Sequence, residues 1–233
     1  METDFSYVDE NLKRIKDNIA EAVAKYRSPG DNVTLMGVTK TQSVEAINRS
    51  VDLGVKDLGE NRVQEYLSKK DGYRDGVRMH FIGHLQTNKV KYIINDMVLI
   101  HSVDSVHLAK EINRLAEKNS KVQDILIEIN IGDEDTKSGI EIADTDELIA
   151  QIENMKNINL RGFMAIPPAG SDEEFLAKMQ EIYEDEKQKL AGKYNIDTLS
   201  MGMSGDYVNA IKYGATIVRI GSALYGARDY SKK

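Results

Sequence analysis

The sequence contains no cysteine, which excludes disulfides, thiolate nucleophiles, iron-sulfur clusters and cysteine-zinc sites together. It has no apolar run near the roughly 20 residues that a membrane-spanning helix needs, and the opening stretch METDFSYVDENLKRIKDNI carries no apolar signal core. It also lacks a basic excess. Lys plus Arg number 31 against 38 Asp plus Glu, a net charge of −7 with both signs interspersed, whereas a nucleic-acid scaffold needs a concentrated basic surface. The expectation is a soluble, cytoplasmic protein with neither a membrane nor a nucleic acid as partner.

What is present is an ordinary globular composition, 41% hydrophobic and 30% charged over 233 residues. Apolar positions Leu12, Ile15, Ile19, Ala22 and Val23 recur at helical spacing from Asp9 to about Tyr26. After the Ser28-Pro29-Gly30 break, short apolar runs alternate with amphipathic stretches. The runs predict strands at Val33 to Val38, Asp57 to Glu60, Arg78 to Ile82, Val98 to Ser102, Ile125 to Asn130, Leu160 to Ile166, Thr198 to Met203 and Ile217 to Ile220. Between them the spacing predicts helices at Val44 to Leu53, Arg62 to Lys69, Asn88 to Asn95, Val106 to Lys118, Asp144 to Met155, Glu173 to Leu190 and Tyr207 to Tyr213.

Strands this short and apolar, joined by helical crossovers, belong to a parallel sheet buried on both faces. Eight is the number at which such a sheet most often closes, so the expected fold is a single α/β barrel of the (β/α)8 TIM type with an extra N-terminal helix. One domain is expected over residues 1–233: residues 1–30 form the helix and lead-in, 31–226 the barrel and 227–233 a tail. Too little chain follows Gly226 for a full eighth helix, so the opening helix is expected to cover that side of the ring.

Barrels of this kind place ligands at the C-terminal ends of their strands, where this sequence becomes polar. Lys40 ends TLMGVTK, at a position where partial desolvation disfavours the ammonium and frees an amine to attack an aldehyde; a solvated lysine at a strand end is the bland alternative. The turns after the seventh and eighth strands, SMGMSGD and VRIGSALYG, sit where barrels often hold a phosphate. Ser204 and Gly205 are expected to open a helix with free backbone N–H groups, Gly221 to permit close backbone approach and Ser222 to add a hydroxyl. Tight turns alone also explain such small residues. Arg219, inside a buried strand, needs an acceptor, either a ligand ring nitrogen or an acid such as Glu60.

Other constellations fail. His80 and His84 lie on a strand and its turn, not a helix, and form no zinc pair; packed or capping histidines are expected. Asp133-Glu134-Asp135 begins like a calcium loop, but Lys137 takes a ligand position. Glu60 and Glu128 give no reason to pair as glycosidase carboxylates. No metal site is expected.

Taken together, GVTK, GENRVQE, HFIGHLQTNKVK, IHSVDS, DTKSG, GFMAIPP, LSMGMSGD and VRIGSALYG resemble the pyridoxal phosphate homeostasis protein family, also called the YggS or PROSC family, from about Val33 to Gly226. The resemblance implies the barrel of the alanine racemase N-terminal domain, fold type III among proteins that bind pyridoxal 5′-phosphate (PLP). It implies PLP held as a Schiff base on Lys40, with Asn61 lining the pocket, Ser204, Gly221 and Ser222 around the phosphate, and Arg219 at the ring nitrogen; Gly205, from the turn reading above, is a further cofactor-binding candidate. It further implies a carrier and regulator in PLP, vitamin B6 and amino-acid homeostasis, with no catalytic residues and no established turnover. A weakly active PLP-dependent amino-acid racemase is the alternative. Racemisation needs an acid/base group on each face of the bound amino acid, and alanine racemase takes one from a further domain and subunit that this chain lacks. A monomer that serves PLP-dependent apo-enzymes is therefore expected. Lys137 of DTKSG is a candidate second amine for PLP transfer, a solvated loop lysine being the simpler reading. Two departures from the family pattern, Arg62 for a tyrosine and Ser43 near a usual proline, concern the rim.

Overall fold

The computed structural model describes residues 4–132, 138–168, 170 and 173–226. Among these, eight parallel strands close into a barrel in chain order: β1 (Thr34–Val38), β2 (Asp57–Glu60), β3 (Arg78–Phe81), β4 (Met97–Val103), β5 (Gln123–Ile129), β6 (Ile158–Ala165), β7 (Thr198–Ser200) and β8 (Ile217–Ile220). Closure comes from β1 against β8, where Thr34 through Gly37 stand opposite Ile217 through Ile220.

The helices are α1 (Ser6–Tyr26), α2 (Val44–Asp52), α3 (Val63–Lys69), α4 (Val106–Lys118), α5 (Thr145–Ile152), α6 (Glu174–Lys189), α7 (Tyr207–Lys212) and α8 (Ser222–Tyr225). Ser43 and Ser105 cap α2 and α4, accepting hydrogen bonds from the Ala46 and Leu108 N–H groups at 3.3 Å, so each strand-to-helix turn is fixed by a side chain that competes for backbone donors. Helix α1 buries Val8, Leu12, Ile15, Ile19 and Ala22 on one stripe and packs against α2, α7 and α8, which closes the side of the ring that α8, four residues long, leaves open. Gly37 on β1 matters here. A Cβ at this position would lie 2.5 Å from the Tyr225 hydroxyl, which shares a 2.9 Å hydrogen bond with Ser50 and pins α8 onto β1 and α2.

Two apolar layers result. Met36, Val38, Ile82, Leu99, Leu126, Met164 and Ile217 fill the barrel, and a larger shell lies between barrel and helices. Two of the departures from expectation have a clear local cause. The seventh strand stops at Ser200 instead of Met203, because Gly202 turns the backbone with φ of 91°. The helix expected at Asn88 to Asn95 is a 3-10 turn at Thr87–Tyr92, whose buried Val90 and the following Ile93 lie three residues apart and so match the 3-10 period. No helix among the described residues is long and apolar enough to cross a membrane.

Candidate functional site

One cavity of about 260 Å³ opens at the C-terminal ends of the strands, lined by Lys40, Gln42, Asn61, Ser204, Gly205, Arg219, Gly221 and Ser222, with Val38, Ile82, Ile166 and Met203 as its apolar wall. Its size is just below the range for drug-sized ligand sites, roughly 300 to 1,000 Å³. The sequence reading missed Gln42, whose signal was its place two residues beyond Lys40 on the same loop.

Lys40 lies two residues beyond the end of β1, and its backbone is held from both sides. The Thr39 carbonyl accepts a 3.0 Å hydrogen bond from Lys69 on α3, and the Thr39 hydroxyl donates to the Glu60 carboxylate at 2.8 Å. Beyond it, Thr41 sits at φ 64°, a left-handed conformation unfavourable for a β-branched residue, while its N–H donates to Glu65 of α3. Glu60 also receives the Asn61 N–H at 2.7 Å and the Arg62 N–H at 3.3 Å. Burial pushes its carboxyl above the usual range, helped by the neighbouring Glu65 charge and opposed by these hydrogen bonds. Asn61 is set by close packing: a Cβ on Gly83 would lie 2.3 Å from the Asn61 carbonyl oxygen. The Asn61 Oδ1 atom is buried without a hydrogen-bond partner. Arg62 is exposed at the start of α3, and Ser43 is the α2 cap.

Arg219 is 4% exposed. It does not pair with Glu60, contrary to one expectation. Its guanidinium donates to the Ser200 hydroxyl at 2.7 Å and to the Ala165 carbonyl at 3.0 Å, because β6 and β7 lie beside it while the Glu60 carboxylate is taken up by the β2 turn. Burial lowers it to about 10, against the opposing charges of Glu128 and Asp206, so it stays cationic at neutral pH.

Ser204 joins the last two turns, its hydroxyl accepting from the Gly221 N–H at 3.2 Å and the Ala223 N–H at 3.1 Å. Ser204 and Gly205 stand in the turn ahead of the next helix and do not open it, contrary to expectation. Helix α7 starts at Tyr207, and the Met203 N–H is bound by Asp206. His80 is packed inside the barrel, whereas His84 is exposed with Asp104 at 3.4 Å. Asp133-Glu134-Asp135 and Lys137 lie outside the described residues.

The donor set of this pocket (an amine, a buried cation, an unpartnered amide oxygen, and hydroxyls beside glycine turns) suits a small anionic ligand that also carries a carbonyl and a ring acceptor. A closed parallel barrel with such a mouth defines the class, and the family model described as alanine racemase, N-terminal domain, matches residues 11–229. The pyridoxal phosphate homeostasis protein of Aquifex aeolicus is 43% identical over 228 residues, covering 95% of this chain and 98% of that protein. The chain belongs to the pyridoxal phosphate homeostasis protein family. Among solved structures, PipY of Synechococcus elongatus PCC7942 with PLP bound is 30% identical with a TM-score of 0.78, covering 89% of this chain and all of that one. Alanine racemase of Clostridium difficile 630 shares the barrel, with a TM-score of 0.74 at 19% identity over 95% of this chain and 57% of its own.

Proposed function

We propose that this protein holds PLP in the barrel-mouth pocket and acts in PLP homeostasis as a carrier, without sustained catalytic turnover. The observation that carries the reading is the convergence of Lys40, Asn61, Arg219, Ser204, Gly205, Gly221 and Ser222 on one cavity. PLP supplies an aldehyde that links reversibly to an amine as a Schiff base and a ring that withdraws electrons. Within the pocket, Lys40 presents the amine, on a backbone fixed by Lys69 and Glu65. Ser204 with Gly205, Gly221 and Ser222 would take the phosphate, and Asn61 offers its unpartnered Oδ1. Arg219 would hold its cation toward the ring nitrogen, where it would disfavour protonation of that nitrogen and so weaken the electron sink.

The absence of turnover is supported by the lining itself. Among the described residues that line the cavity, Lys40 supplies the one amine, and no Tyr, His, Asp or Glu is among them. Racemisation needs such a group on each face of the substrate. The reading takes the protein as a monomer whose cargo passes to PLP-dependent apo-enzymes. Loading the purified protein with PLP and assaying alanine racemisation tests it. The expected result is bound PLP with turnover far below the typical enzyme range of about 1 to 1,000 per second, and turnover inside that range would contradict it.

A further inference from the structure

A line of polar side chains crosses the apolar barrel interior from Arg219 to the opposite end. Arg219 Nη1 donates to Ser200 Oγ at 2.7 Å, and His101 Nδ1 lies 3.0 Å from the same oxygen. His101 Nε2 is 3.0 Å from His80 Nδ1, His80 Nε2 is 2.9 Å from Asp57 Oδ1, and Asp57 Oδ2 receives Arg78 at 2.6 Å. His101 and Ser200 are fully buried, and His80 and Asp57 nearly so. Apolar Met36, Leu99, Leu126, Met164 and Ile217 fill the rest of the interior, where an unmatched polar atom is costly.

With His80 and His101 each carrying one ring proton, the two ends fix the direction of every bond. Burial pushes the Asp57 carboxyl up, but hydrogen bonds from His80 and Arg78 outweigh it and hold the group below its usual range, so it is a carboxylate that only accepts. His80 Nε2 therefore donates, and in a neutral ring its Nδ1 accepts. His101 Nε2 must then donate. Burial, aided by the Arg219 charge, holds His101 well below the usual histidine range, so that ring is neutral and its Nδ1 accepts the single Ser200 hydroxyl proton. Ser200 Oγ keeps its lone pairs for Arg219, which can only donate. Every donor in the line meets one acceptor.

We propose that Ser200 and His101 are positioning residues for Arg219: the line anchored on Asp57 at the far end of the barrel sets the orientation in which the guanidinium meets the cofactor ring. This rests on the PLP reading above. No member of the line other than Arg219 lines the mouth cavity, so its effect on the ligand passes through Arg219.

The test is PLP titration of wild type, Ser200→Ala and Ser200→Thr, followed by imine absorbance, with ¹⁵N NMR of histidine-labelled wild type. Wild type is expected to show both rings as the Nε2–H tautomer. Ser200→Ala should retain the imine with PLP affinity about tenfold weaker and a displaced imine band, while Ser200→Thr, which keeps the hydroxyl, restores both. If wild type binds PLP as an imine but Ser200→Ala matches it in affinity and band, the positioning role is overturned and the cofactor reading stands. An Nδ1–H tautomer at His101 also overturns it, without any variant. No imine in wild type removes the cofactor reading and this inference with it.

Discussion

The Ser204 hydroxyl, on the turn after β7, accepts a hydrogen bond from the Gly221 N–H on the turn after β8 at 3.2 Å, so the two loops proposed to take the phosphate are tied by one side chain. Ser204→Ala removes that acceptor. The expected outcome is PLP binding weakened by roughly tenfold, about 1.4 kcal/mol, with little change for pyridoxal, which lacks the phosphate. Parallel titrations with the two ligands check it, and equal losses for both would place Ser204 in general loop stability instead.

Gly83 lets the end of β3 approach the end of β2. With a Cβ only 2.3 Å from the Asn61 carbonyl oxygen, Gly83→Ala forces the two strand ends apart and is expected to cost about 1 to 3 kcal/mol by urea denaturation. Asn61 moves with its backbone, so PLP affinity should fall in the same variant.

Acid should destabilise the protein through His101. The folded chain holds this ring neutral well below 6.5, the ordinary value at which the unfolded chain takes up a proton. Between those two values the unfolded state binds more protons, so the stability contributed by His101 is present above about pH 6.5 and is lost as the pH falls below it. Glu60 and Glu128 act in the opposite sense. Burial raises both above 4.5, so their charged forms cost stability as the pH rises through the folded values. The difference between wild type and His101→Gln, measured by urea denaturation from pH 7.5 to 5, isolates the histidine: wild type should lose stability more steeply. Parallel slopes would show that His101 takes up its proton as readily in the folded state as in the unfolded one, which contradicts the depression.

Arg219→Met should leave the Ser200 hydroxyl and the Ala165 carbonyl without their 2.7 and 3.0 Å donors and remove the cation from the pocket wall. A loss of about 2 to 5 kcal/mol in stability is expected from the broken buried network. The imine should still form on Lys40, with its absorbance newly sensitive to pH as the ring nitrogen becomes able to protonate. Spectra from pH 6 to 9 read this directly.

The barrel was legible because its strands are short apolar runs and its crossovers amphipathic. Helix α4, with Ser105 capping a regular apolar stripe, lies where its spacing put it, at Val106–Lys118. The mouth residues were legible for a related reason, since they stand where each apolar run stops. The interior polar line was not. His80 and His101 are 21 residues apart, and a register shift between Met79 and His80 helps decide what faces His80 across β3 and β4; Ser200 comes from 99 residues beyond His101. The available signal was parity. Asp57, His80, His101, Ser200 and Arg219 all occupy strand positions expected to be apolar.

The central claim is that Lys40 anchors PLP, and the direct measurement is the absorbance spectrum of the PLP-loaded protein before and after borohydride reduction, beside Lys40→Ala. The account predicts a yellow imine band that bleaches on reduction in the wild type and is absent from the variant. A band of equal strength in Lys40→Ala, or none in the wild type, would contradict it.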